Sequence, residues 1–232
     1  MKPFSDFAYE RLLDLYNNHS HEVGSELKKD DPAKYAKYKS TDCITYALNV
    51  ISHAFENTGN PAAAKKVWKL GKHGTELAKY LVESHNWKGV YINPDVIHPA
   101  DGDDEHAFTS HLASKTCKYY KIPLEYKVIN YSVTPKTGPE FGTVNRRKGV
   151  TPLNTVDIKS LDLVNFGFGV SRGGRHTWLF SAGKVYEVHW DEIGVNLYEA
   201  SPIRTYQWLS GVIVVPPGQA GILAASAKVS CA

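Results

Sequence analysis

The hydrophobic periodicity of this chain changes near Leu161, and that change limits the fold more than any other feature. Upstream, apolar side chains recur at three- and four-residue spacing, the signature of helices that bury one face. Downstream, β-branched and aromatic runs are separated by glycine-containing turns such as Ser181-Ala182-Gly183-Lys184. Helices first and strands second is the layout of an α+β domain, with N-terminal helices expected to pack on an antiparallel sheet.

The pattern predicts helices over Phe4–Asn18, Thr41–Asn57 and Pro61–Ser84, the last with a break expected near Gly71–Gly74. Thr41–Asn57 is the clearest. Cys43, Tyr46, Ala47, Val50, Ile51 and Ala54 share one face, Ser40 or Thr41 is placed to cap it, and Gly59 to stop it. A strand is expected at Val90–Ile92, a helix over Asp104–Tyr120, a strand over Leu124–Tyr131 and an exposed loop over Thr134–Thr151. Strands follow at Leu163–Val170, Thr177–Phe180, Val185–Trp190 and Gly211–Val215. Residues 1–217 therefore read as one domain, with 59–150 inserted between helix and sheet, and 218–232 as a loosely held tail.

Composition excludes several classes. Aromatic residues make up 12% of the 232 residues, too many for a disordered chain. Three cysteines, widely spread and odd in number, do not make a disulfide scaffold. The net charge of +3 is mild, and without a concentrated basic patch no nucleic-acid partner is expected. No stretch approaches the roughly 20 apolar residues of a membrane span. Met1 to Asp6 runs straight into an amphipathic segment, so the chain reads as made in the cytoplasm without a signal peptide.

Two local patterns carry chemistry. The first is Thr41-Asp42-Cys43 at the start of the buried helix. There the helix dipole and unpaired backbone N–H groups favour a thiolate and can hold an oxyanion. The second is Arg175-His176-Thr177-Trp178-Leu179-Phe180, a turn, then Val185 to Trp190. In that hairpin, period-two alternation puts Val185, Glu187, His189 and Asp191 on one face. Glu187 or His189 can thus lie beside His176 and orient its ring, as a nucleophile–base–orienter triad requires.

This arrangement resembles the papain-like cysteine hydrolases of the NlpC/P60 type. In that family an Asp-Cys pair opens the central helix, a histidine opens a strand, and a third polar residue lies on the next strand. Asp42-Cys43 matches the first motif, and His176 to Phe180 followed by Gly183-Lys184 matches the second. Ile44-Thr45 and Trp178 stand where the family more often has small residues. The likeness spans Thr41–Asn57 and roughly Leu161–Val215.

The resemblance implies Cys43 as nucleophile, His176 as base and Glu187 as third member, with His189 the alternative. Asp42 and Arg175 are the candidate substrate-binding residues; no metal and no cofactor are expected. The implied substrate is an amide bond of bacterial cell-wall peptidoglycan. The expected role is an antibacterial effector, similar to those of type VI secretion, delivered to the periplasm of a target cell. Its expected partners are an immunity protein and a secretion-machine component. An acyltransferase, deamidase or protease acting on a target-cell protein is the competing reading, and a non-enzymatic binding module the third.

Other groups read as structural. The loop His98 to His106 is rich in carboxylates and histidines but lacks an EF-hand or zinc spacing, and Asp103 or Asp104 is placed to cap a helix. Cys117 reads as core and Cys231 as an exposed thiol. Arg146-Arg147-Lys148 reads as a solvated run.

Overall fold

A computed structural model describes residues 2–19, 42–70, 73–93, 96–97, 110–111, 116–117, 122–129, 145–146, 153–171, 174, 176–190, 196–205 and 211–229. The fold is mixed α+β. Among the described residues four helices come first: α1 (Phe4–His19), α2 (Cys43–Asn57), α3 (Pro61–Lys69) and α4 (Gly74–His85). The strands are β1 (Lys88–Ile92), β2 (Val96–Ile97), β3 (Ser110–His111), β4 (Thr116–Cys117), β5 (Ile122–Pro123), β6 (Tyr126–Val128) and β7 (Asn145–Arg146). After them come β8 (Asn154–Val156), β9 (Gly167–Ser171), β10 (His176–Ser181), β11 (Lys184–Trp190), β12 (Asn196–Pro202) and β13 (Gly211–Val215). The last element is α5 (Pro217–Val229).

Eight strands form the central sheet in the order β12-β11-β10-β9-β13-β1-β6-β8. The expected antiparallel sheet is in fact mixed, because β1 pairs β6 and β6 pairs β8 in parallel. Both β1 and β6 come from residues 59–150. Part of that segment therefore completes the main sheet.

The sheet is covered on both faces, and the alternation within each strand shows how. Phe168, Val170, Leu179, Val212 and Val214 point into a core shared with α1 to α4. Their neighbours Trp178, Phe180, Val185, Ile213 and Val215 point into a second core, built with β6, β8 and α5. Burial on both faces explains why these strands read as unbroken apolar runs rather than alternating ones.

The second core corrects the expectation for the C-terminus. Residues 218–232 were expected as a loose tail, yet 217–229 form α5, whose Leu223 is 0% exposed. Gln219 ties the helix down: its Oε1 accepts from Asn165 N at 2.9 Å and its Nε2 donates to Ser5 Oγ. A sheet with a second apolar face needs a cover, and small residues such as Ala224 and Ala227 let the helix lie close.

Two further expectations change. The helix predicted over Asp104–Tyr120 is replaced, at its described residues, by the short strands β3 and β4, which pair with each other and with β5. Thr116 is β-branched and Ser110 competes for backbone hydrogen bonds, and both weaken a helix here. Cys117 consequently lies on a strand. The predicted helix Pro61–Ser84 is two helices, separated near Gly71–Gly74 as the glycines suggested. The 134–151 loop, apart from β7, lies outside the described residues.

One turn sets up the site. Ala182 and Gly183 both have positive φ, 46° and 76°, which makes a two-residue hairpin whose twist suits the flanking strands. It pairs Ser181 with Lys184 and Leu179 with Tyr186. That register carries Glu187 alongside the beginning of β10.

Candidate active site

Helix α2 begins at Cys43 because Asp42 stops the chain from being helical one residue earlier. Asp42 has extended backbone (φ −97°, ψ 171°), its Oδ1 accepts from Thr45 N at 2.8 Å, and its carbonyl accepts from Tyr46 N. The cap is thus Asp42 rather than Ser40 or Thr41. A carboxylate is a strong N-cap, so Asp42 has a structural role here that is separate from the expected contact with substrate. With Thr45 and Tyr46 supplied, the Cys43 and Ile44 N–H groups are the ones left without an intrahelical acceptor, at the positive end of the dipole.

The helix is held rigidly behind that point. Val50, Ile51 and Ala54 are fully buried, and Tyr46 donates its hydroxyl to Leu12 O at 3.2 Å. Arg11 of α1 reaches Asn49 Oδ1 at 2.9 Å. Phe4 packs edge-on against Phe55 and Trp87, so α1 clamps both ends of α2. Cys43 itself is only partly buried.

His176 opens β10 as expected. Its Nε2 donates to Glu187 Oε2 at 2.6 Å, and the two residues are 8% and 2% exposed. The structure thus brings Cys43, His176 and Glu187 together, with Glu187 in contact with the ring. The His176 ring is also hydrogen-bonded to the Cys43 sulfur; with Nε2 engaged by the carboxylate, Nδ1 is the nitrogen left for that contact. His189 follows on the same strand with its backbone paired to Leu197. The His189 side chain, Arg175 and Asp191 lie outside the described residues, as do His98 and His106.

The electrostatics favour a charge-separated pair. Burial alone would raise the Cys43 thiol, but the His176 hydrogen bond and charge, with the Thr177 N–H, bring it below its ordinary value of 9.0. Burial alone would lower His176, yet the hydrogen bonds to Cys43 and Glu187 and the charges on both push it up to about 9. The two shifts run in opposite directions across one shared proton. Both directions favour the proton on the imidazole and the negative charge on sulfur, the state that makes a cysteine nucleophilic.

Sequence reasoning missed Thr177. It sits between the histidine and Trp178, with its N–H directed at Cys43 and its side chain close to the same sulfur. The available signal was a polar residue at an inner position of the strand, on the side that faces the helices.

Trp178, where the resemblance would place a small residue, is accommodated by glycines. Its indole lies against Gly169, where a methyl would fall well inside contact distance, and its Nε1 donates to Ser171 Oγ at 3.2 Å. The substitution is absorbed in the second core, away from the sulfur.

Among the described residues no cluster of three or more histidine, cysteine or carboxylate side chains is arranged to hold a metal. No described helix is long and apolar enough to cross a membrane. In comparison with known proteins, no family model matches the chain, and neither a curated protein nor a solved structure matches it significantly.

Proposed function

We propose that this chain is a papain-like cysteine hydrolase that cleaves amide bonds, with Cys43 as nucleophile, His176 as acid–base and Glu187 as the group that orients and charges the ring. The observation that carries the reading is the Glu187–His176–Cys43 relay, joined by the 2.6 Å bond between buried Glu187 and His176. A buried carboxylate costs too much to keep for packing alone, so its pairing with a histidine that also meets a thiol has a chemical rationale.

The proposed steps follow from the atoms. The Cys43 sulfur attacks the amide carbonyl carbon, and the Cys43 and Ile44 N–H groups at the α2 N-terminus accept the negative charge on its oxygen. His176 Nδ1 gives its proton to the leaving amine as the C–N bond breaks, leaving a thioester on Cys43. The same nitrogen then takes a proton from water, whose oxygen attacks the thioester and frees the acid. Glu187 stays ionised throughout and holds the ring in one orientation.

For substrate, the likeness of Asp42-Cys43 and the His176 strand to NlpC/P60 enzymes supports peptide amide bonds of bacterial cell-wall peptidoglycan. Incubation of purified peptidoglycan with the wild type and with Cys43→Ala, read by mass, tests this. New muropeptide fragments from the wild type alone support it; identical products in both would overturn it. A hyper-reactive Cys43 without wall fragments would redirect the reading to a protein substrate. Directing the chain to the periplasm and, separately, to the cytoplasm of a test bacterium checks the effector role: lysis should follow only the first.

A further inference from the structure

Thr177 is 2% exposed, and its Oγ1 is buried with no hydrogen-bond partner among the described residues. An unmet hydroxyl in a packed interior lowers stability, and valine has the same shape and a better strand propensity. Folding therefore favours valine at this position, and the hydroxyl asks for another explanation.

The packing fixes where that hydroxyl points. Gly74, the first residue of α4, lies so close that a methyl on its Cα would collide with Thr177 Cγ2. The Thr177 methyl is therefore seated against the helix start, in the space that the absent Gly74 side chain leaves. A β-branched side chain has few rotamers, so seating the methyl also fixes the hydroxyl, which lies close to the Cys43 sulfur. The Thr177 N–H is directed at the same sulfur.

We propose that Thr177 is a thiolate-stabilising residue, its buried hydroxyl held by the Gly74 contact to donate to the Cys43 sulfur once the proton has moved to His176. The inference rests on the hydrolase reading above and deepens it. With the proton on sulfur the hydroxyl is idle. With the proton on His176 the sulfur is an anion, and Thr177 supplies it with a donor from the strand side, opposite the helix N-terminus. The arrangement sacrifices some stability of the resting fold in exchange for a more acidic thiol.

The test is Thr177→Val, with Thr177→Ala as a second hydroxyl-free variant and Thr177→Ser as the conservative one. Two properties are measured on each: the ultraviolet absorbance of the Cys43 thiolate against pH, corrected with Cys43→Ala, and the thermal midpoint. The expected result for Thr177→Val is a midpoint equal to or above the wild type with the thiol titrating higher by about half a pH unit or more. Thr177→Ser should titrate close to the wild type. A thiol in Thr177→Val that titrates as in the wild type overturns the proposal and leaves the hydrolase reading standing. A wild-type Cys43 that titrates like an ordinary thiol overturns both.

Discussion

Glu187 Oε2 lies 2.6 Å from His176 Nε2, with both side chains nearly sealed from water. The contact depends on a turn distant from it: Ala182 and Gly183 fix the β10–β11 register, and the register delivers Glu187. It is a charge-assisted hydrogen bond in a place where an unpaired charge is expensive, so removing either partner has effects out of proportion to one contact.

Glu187→Gln keeps the shape and removes the charge. His176 then loses one of the causes that raise it to about 9. The alkaline limb of the pH–rate profile should move to lower pH, and the rate at its optimum should fall about a hundredfold or more. An unmoved alkaline limb would show that Glu187 does not act through the ring.

The raised His176 also leaves a mark on stability, and its sign is fixed. A histidine whose folded pKa exceeds its ordinary 6.5 contributes stability that is complete below that value and is lost as pH rises through about 9. Denaturant unfolding from pH 6 to 10 should show a loss of about 1–3 kcal/mol in the wild type, smaller in Glu187→Gln. The lowered Cys43 works in the other direction, its share vanishing as pH falls through its folded value. A wild-type curve flat over the alkaline range would count against the pairing.

Asp42 separates capping from substrate contact. Asparagine caps as well as aspartate, so Asp42→Asn should keep both stability and activity, while Asp42→Ala should lose about 1 kcal/mol. An Asp42→Asn variant that folds normally but binds substrate poorly would support the substrate-binding role.

Gly169→Ala probes the second core. The added methyl meets the Trp178 indole, which is buried. A loss of about 1–3 kcal/mol is expected from thermal or denaturant unfolding. An unchanged midpoint would mean that the indole shifts without cost.

The sequence made some of this legible because the relevant signals are local. Helix α2, the hairpin turn and the order of Cys43, His176 and Glu187 are written in spacing, a dipole position and an Ala-Gly pair. What escaped is non-local. Strands β1 and β6 pair in parallel across long connections, which no hydrophobic period reports. Helix α5 is a weakly amphipathic run of small residues whose reason for order is a sheet face elsewhere in the chain. Ser110 and Thr116 were outweighed by apolar spacing in the expected helix. Thr177 escaped because a buried hydroxyl looks like an ordinary strand residue until its surroundings are known.

The central claim is that Cys43 exists as a thiolate paired with His176 near neutral pH. Alkylation of Cys43, followed by peptide mass so that Cys117 and Cys231 are read apart, measures it directly across pH in the wild type and in His176→Ala. The account predicts rapid modification of wild-type Cys43 well below pH 9, lost in the variant. A wild-type Cys43 that reacts only as fast as an ordinary thiol at every pH, or a His176→Ala profile identical to it, would contradict the account.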